Sequence, residues 1–529
     1  MSGNDSDHHV TLSDGPLGIA DVVAVARGGA TVSLADGARA AMERSRAAVQ
    51  AAIAEGRPVY GVSTGFGALA DVAISPEDRT TLQVNLLRSH AAGVGQPLPD
   101  DVVRAALLLR AQALARGYSG VRPIVVERLV DLLNARIHPV VPEQGSVGAS
   151  GDLAPLAHLA LPLIGEGQVR WRDELLPAET ALAQAGIAPI TLEAKEALAL
   201  INGTQIITAL MALAVADTEQ LLRAAEIAAA MSFEALGGDP AALAAPVHQV
   251  RPHPGQVATA ARMRRLLQRD GTLPRPRRGA VQDAYTLRCI PQVLGPIRNA
   301  LEHARQVVEI EINAVTDNPL CFPDDTGVVS GGNFHGHPVA LPADYLKVAV
   351  ASLGTFTERR IASLVDPRSS RLPAFLVPAP GINSGFMIAQ YAAASLASEN
   401  KTLAHPASVD SIPTSADIED FNSMGTTAAR HLARVVANTQ TIVAIEVLCA
   451  AQALDLTERE PWGIGTQAAY RAVRAHIPFL ERDGPPLHQL IETARDLIRS
   501  GTLQEAVDAA LVASAGRDTA QQIEEGGVG

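Results

Sequence analysis

Three small neighbours, Ala149-Ser150-Gly151, sit in a glycine-dense loop and can build an electrophile from their own backbone. If the Gly151 nitrogen attacks the Ala149 carbonyl carbon and two waters leave, a five-membered ring forms. Its exocyclic methylidene carbon is the former Ser150 Cβ. Each residue type then has a reason: glycine carries no Cβ to obstruct the close backbone approach, alanine crowds the ring little, and serine supplies a hydroxyl that can be eliminated. A bare tripeptide of this kind is ordinarily just a turn. Its surroundings give it weight.

The whole run Gly145-Ser146-Val147-Gly148-Ala149-Ser150-Gly151-Asp152-Leu153-Ala154-Pro155-Leu156-Ala157-His158 resembles the signature of the aromatic amino acid ammonia-lyase family, which acts on histidine, phenylalanine or tyrosine. The resemblance implies that Ala149, Ser150 and Gly151 become methylidene-imidazolone (MIO), with no metal and no nucleotide. Removing ammonia from an α-amino acid needs an electrophile for the amine and a base for a weakly acidic β-hydrogen. Tyr60, in Tyr60-Gly61-Val62-Ser63-Thr64-Gly65-Phe66-Gly67, is the candidate base, since the stretch resembles the family loop whose tyrosine takes that role. A phenolate there needs a neighbouring positive charge or hydrogen-bond donors.

Arg288 is the natural clamp for a substrate carboxylate, because a guanidinium fork matches two carboxylate oxygens. Its segment, Val281-Gln282-Asp283-Ala284-Tyr285-Thr286-Leu287-Arg288, resembles the family's Val-Gln-Asp-x-Tyr-Ser-x-Arg, which implies roles for Gln282 and Tyr285. Asn202 matches the asparagine that the family aims at the MIO carbonyl oxygen. Phe334 matches a phenylalanine packed near that group.

Two positions bear on the substrate. Ser89-His90 resembles the histidine-lyase form of a pair that is His-Leu or Phe-Leu in the other lyases, and Glu419 stands where aromatic lyases usually carry glutamine. An imidazole has one donor and one acceptor nitrogen, so His90 and Glu419 can address both. A phenyl ring would leave them unpaired, at a cost of roughly several kcal/mol. The reading is therefore L-histidine to trans-urocanate and ammonia, by a chain closest in motif to the histidine ammonia-lyases. Ile418, Phe421 and Asn422, and Gly336-His337 in place of a common Ala-Glu, depart from that pattern. The alternatives are an aromatic ammonia-lyase or aminomutase with the same MIO, and an inactive helical scaffold.

Other chemistries are weaker on the residues. Gly65-Phe66-Gly67-Ala68-Leu69-Ala70 satisfies a dinucleotide fingerprint, but no βαβ rhythm surrounds it. His335-Gly336-His337 is the closest histidine pair beyond the N-terminal tail, without a His-Glu-x-x-His or Cys/His cluster. A nucleophile-elbow G-x-S-x-G is absent at the Ser150 loop. His158 and His253 read as structural hydrogen-bonders, Cys289 as packing, and Arg275-Pro-Arg-Arg278 as a solvated loop.

The elements that must position these residues are mostly helices. Apolar residues recur at intervals of three and four over Ala194–Leu236 (broken at Asn202-Gly203-Thr204), Leu287–Thr316, Ala343–Leu364, Phe386–Leu403 and Ala428–Leu456. Ser75–Asn134 and Leu153–Leu163 also read as helical, and Trp171–Pro177 as a hairpin. Val22–Val32 reads as strand and turn, followed by a capping box at Ser33-Leu34-Ala35-Asp36 and a helix to about Gly56.

Hydrophobic residues make up 47% of the 529 and aromatics 3%, with Asp+Glu 56 against Lys+Arg 43. The net charge of −13 disfavours nucleic acid or an anionic membrane as partner. The longest apolar run, Ile206–Ala216, is well short of the ~20 residues of a bilayer span. Three widely spaced cysteines, Cys289, Cys321 and Cys449, suit a reducing, cytoplasmic setting. The family likeness, from about Val22 to Leu503, implies a mainly α fold of the fumarase/aspartase-like superfamily architecture. It divides into an N-terminal MIO-bearing domain (1–200) and a helical bundle with a C-terminal helical domain (201–529). It further implies a homotetramer whose active sites are shared between subunits.

Overall fold

The computed structural model describes residues 8–13, 15–56, 59–277, 281–325, 327–457 and 462–526, the last eleven by backbone alone. Arg278, quoted above, lies outside these residues.

Helices dominate, as the periodicity predicts. In chain order the ones that matter for the site are α1 (Asp36–Ala54), α2 (Arg79–His90), α3 (Asp100–Ala115), α4 (Pro123–Asn134), α5 (Leu153–Ala160), α6 (Glu196–Ile201), α7 (Gln205–Leu236), α8 (Ile290–Ile312), α9 (His337–Val365), α10 (Met387–Leu403) and α11 (Gly425–Leu456). Proline opens α4, where its missing N–H costs nothing. The strands among the described residues are short and form four separate small sheets. One contains the hairpin read at Trp171–Pro177, observed as Gln168–Trp171 paired with Glu174–Pro177, with His138–Pro139 as its third strand.

The long helices α7, α9 and α11 pack along one another, with α8 and α10 against α9. Their buried stripes are largely Ala, Leu, Ile and Val. One ion pair crosses this dry interior. Arg360 of α9 donates from Nε and Nη2 to the two oxygens of Glu446 of α11 at 2.6 and 2.8 Å, and Ser232 Oγ of α7 donates to Oε1 at 2.7 Å. Both charged side chains are fully buried. The bidentate geometry offsets part of the desolvation cost and fixes the three helices in one register.

Three expectations need correction. The segment after Val22 is helical first: Ile19–Val23 runs into a π-turn at Ala24–Gly28, and only Thr31–Leu34 is a strand, parallel to His9–Leu12. Ser33 therefore belongs to a strand, where His9 Nε2 meets its hydroxyl at 2.7 Å, and α1 starts at an Ala35 cap without a side-chain bond. A hydroxyl engaged across the strand pair cannot also cap a helix. Finally, α7, α9 and α11 are each long and apolar enough to cross a membrane by length and composition. A search for unbroken apolar runs misses them because threonines, glutamines and histidines interrupt the stripes. In the fold, 78%, 61% and 78% of their most apolar windows are buried within the protein.

Candidate active site

The Ala149 loop is anchored before it is functional. Asp152, fully buried, receives four hydrogen bonds: Ile206 N and Ile207 N at 3.0 and 2.9 Å on one oxygen, Ser146 Oγ and Thr426 Oγ1 at 3.0 and 2.6 Å on the other. It thus satisfies the open N–H groups at the start of α7 and ties the loop to the first turn of α11. Burial pushes its carboxyl up to about 6, against the pull of those donors. Further ties run from Met424 N to the Val147 carbonyl (2.9 Å) and from Ser423 Oγ to the Gly148 carbonyl (2.9 Å).

At the centre, backbone meets backbone. Gly151 has φ +75°, and a Cβ there would lie 2.0 Å from the Gly203 oxygen. Gly203 O also accepts from Asp152 N at 2.7 Å. Gly203 itself, at φ +154°, leaves no room for a side chain because the Thr316 carbonyl would be 2.4 Å from its Cβ. The α6–α7 break at Asn202-Gly203-Thr204, legible in the sequence, is therefore a floor pressed against the tripeptide.

Ser150 points to a carboxylate. Its Oγ donates to Glu419 Oε1 at 3.0 Å, and Thr414 Oγ1 donates to Oε2 at 2.8 Å. Thr414 and Glu419 close a turn through reciprocal backbone hydrogen bonds, with Ser415, Ala416 and Asp417 all left-handed at φ 53°, 52° and 65°. Three such non-glycine residues in a row store strain of roughly 1–2 kcal/mol each. His90, the last residue of α2, shares a cavity of about 90 Å³ with Ala149, Ser150, Gly151 and Glu419. Burial depresses its pKa, opposed by the Leu86 carbonyl and Glu419, so the imidazole is neutral at pH 7. Ser89 Oγ lies 3.0 Å from His90 Nδ1 and 3.2 Å from the Leu86 carbonyl, which orients the ring.

The remaining residues singled out in the sequence stand at different distances from this cluster. Asn202 is buried, donates from Nδ2 to the Asn318 carbonyl at 3.2 Å and, among the described residues, leaves Oδ1 without a partner. Tyr60 Oη accepts from Gly67 N at 2.9 Å, and Gly67 packs against Ser415, so the tyrosine loop leans on the Glu419 turn. Phe334 is half-buried in a loop that reaches the tripeptide through Gly336 N and the Gly148 carbonyl at 3.3 Å. Gln282 and Tyr285 are exposed, and the Arg288 guanidinium sits 4.7 Å over the Tyr285 ring. Among the described residues no hydrogen bond joins these three to Ser150.

Two of the departures from the histidine-lyase pattern touch each other. Phe421 packs edge-on against His337, with centroids 5.5 Å apart, and stacks on His335 at 5.9 Å. Asn422 donates from its backbone N–H to Ser411 Oγ and from Nδ2 to the Ile412 carbonyl. His158 accepts from Gly93 N as a structural histidine should. Arg277, read as solvated, instead donates to the Ser370 carbonyl at 2.6 Å. Burial pushes the Cys321 thiol up to about 11 and Cys449 higher still, so neither is a nucleophile. No group of three metal-ligating side chains occurs among the described residues.

Sequence reasoning missed Asp152, Thr414 and Thr426 as organisers of the site. Asp152 lay inside the quoted motif, and its place just before an apolar helix was the available signal.

Comparison with known proteins agrees with this geometry. Residues 17–475 match the aromatic amino acid lyase family. A histidine ammonia-lyase of Symbiobacterium thermophilum is 55% identical over 93% of this chain and 97% of its own length. Among solved structures, histidine ammonia-lyase from Trypanosoma cruzi superposes with a TM-score of 0.88 at 42% identity, covering 95% of each chain. Tyrosine aminomutase from Streptomyces globisporus superposes with a TM-score of 0.89 at 38% identity, covering 95% of this chain and 98% of that one. With the signature loop, the bundle that carries it and these relatives in agreement, the chain belongs to the aromatic amino acid lyase family of carbon–nitrogen lyases.

Proposed function

We propose that the protein converts L-histidine to trans-urocanate and ammonia, with Ala149-Ser150-Gly151 condensed to MIO. The residues present fit that group: the tripeptide is pressed by the Gly203 carbonyl at a place where only glycine can stand. MIO supplies an electrophilic carbon for the substrate amine. Around it, Arg288 holds the substrate carboxylate, assisted by Gln282 and Tyr285. Asn202 supports the ring oxygen and Phe334 packs beside it. Tyr60 takes the β-proton, and the Gly67 N–H on its oxygen favours the phenolate. His90, oriented by Ser89, and Glu419 bind the two imidazole nitrogens.

The observation that carries the substrate is the placement of neutral His90 and Glu419 in one cavity with Ser150. A homotetramer whose neighbouring subunits bring Arg288 and Tyr285 to complete the pocket belongs to this reading, since Tyr285 is exposed and, among the described residues, no hydrogen bond joins it or Arg288 to Ser150. Three free cysteines suit the cytoplasm. A second reading, an aromatic ammonia-lyase or aminomutase, is favoured by the Phe421–His335–His337 cluster beside the Glu419 turn. Product analysis with histidine, tyrosine and phenylalanine separates the two. Urocanate from histidine alone, together with a mass deficit of about 36 Da for two lost waters, is the expected result. Cinnamate or coumarate as the main product overturns it.

A further inference from the structure

Beneath the Asn202-Gly203 turn lies a charge cluster that none of the roles above uses. Arg110 directly follows the run Leu107-Leu108-Leu109 in α3 and is fully buried. Its Nη1 donates to the Asn202 carbonyl and to Gln205 Oε1, both at 2.9 Å, and Nη1 and Nη2 each reach the Thr316 carbonyl at 3.4 Å. Burial pulls the guanidinium down to about 10, with Asp317 opposing, so it stays charged at neutral pH. Asp317 is itself paired with Lys195 at 2.7 Å, both side chains fully buried. The circuit closes through Asn318. Its N–H donates to Asp317 Oδ1 at 2.7 Å, its carbonyl accepts from Asn202 Nδ2, and its side chain accepts from Gly331 N at 2.8 Å in the loop that carries Phe334.

A charged side chain in a leucine-rich helix is costly to desolvate, and a hydrophobic residue would fill the space more cheaply. What leucine cannot do is bridge several carbonyl and amide oxygens with one rigid fork. We propose that Arg110 is a positioning residue for ring closure, acting by pinning the Asn202 and Thr316 carbonyls and so holding Gly203 against the Ala149-Ser150-Gly151 turn. The inference rests on the MIO reading above. In that closure the Gly151 nitrogen bonds to the Ala149 carbonyl carbon. The Ala149 oxygen leaves as water with the amide protons of Gly151 and Ser150, and Ser150 Oγ leaves as a second water with the Ser150 Cα proton. Arg110 touches none of these atoms. It holds the floor that keeps the turn from opening, since the Gly203 carbonyl occupies the space a Gly151 side chain would need.

The test compares full-length wild type, Arg110→Met and Arg110→Lys by intact mass, tryptic mapping of the loop, circular dichroism and thermal melting. Methionine keeps the length without donors, and lysine keeps the charge without the fork. In Arg110→Met with a wild-type helical spectrum, the fraction of chains carrying the two-water deficit is expected to fall at least about tenfold. Arg110→Lys should lie between Met and wild type. A folded Arg110→Met with the full deficit overturns the proposal, and where that variant does not fold, so does a folded Arg110→Lys with the full deficit. An unaltered loop peptide in wild type would instead sink the MIO reading itself, so the two failures are distinguishable.

Discussion

Glu419 accepts from the Thr414 hydroxyl and, until ring closure removes it, from the Ser150 hydroxyl, and a hydroxyl can turn to meet an amide instead. Glu419→Gln should therefore leave the fold almost untouched while removing the negative partner of the substrate imidazole. Histidine turnover should drop by about 10²-fold, close to 3 kcal/mol, with melting unchanged, and unchanged kcat/KM would remove Glu419 from the site. Asp152 makes a pH prediction. Its carboxyl, pushed up to about 6 in the fold, holds its proton more tightly than in the unfolded chain, where about 3.9 is ordinary. Its contribution is full below pH 4 and is lost as pH rises through 6, a difference of roughly 3 kcal/mol. Relative to Asp152→Asn, which does not titrate, wild type should gain melting temperature as pH is lowered from 7.5 to 5, and a constant offset would contradict the shift. At this scale Ser150, His90 and Glu419 were legible because their residue types suit the chemistry and the motifs around them resemble a known family. Arg110 was not singled out in the sequence, because its acceptors are carbonyls and an amide that come together only in the fold.

Helix periodicity was the most readable layer, since α7, α9 and α11 each bury a broad apolar face. Boundaries were less so: Ser33 looked like a cap because its contact with His9 depends on a strand pair formed between residues 24 apart in the chain. What periodicity cannot show is a single polar tie between helices. Glu446→Ala leaves Arg360 buried and unpaired, so it should destabilise the bundle by about 3–5 kcal/mol, read as a large fall in melting temperature. Replacing both partners, Arg360→Met with Glu446→Leu, should recover most of that loss. A double variant as unstable as the single one would show that packing, and not the uncompensated charge, sets the effect.

Over the whole molecule, the proposed carboxylate clamp has no hydrogen bond to the tripeptide among the described residues: Tyr285 is 69% exposed and stacks with Arg288. Sequence names those residues, and the family likeness alone implies sites shared between subunits, since spacing along a chain carries no information about a neighbouring copy. If sites are shared, mixing inactive Ser150→Ala and Arg288→Ala proteins under subunit exchange should restore about one quarter of wild-type activity in a 1:1 mixture. No recovery, with exchange verified by mass, would place both residues in one subunit's site. The contact of Gly151 with the Gly203 backbone has its own consequence for the sequences this fold can explore. Because each glycine faces main-chain atoms, no second-site change elsewhere can make room for a side chain at either position. Saturation libraries should return both as fixed, and pairwise covariation should be silent about two positions that are in direct contact.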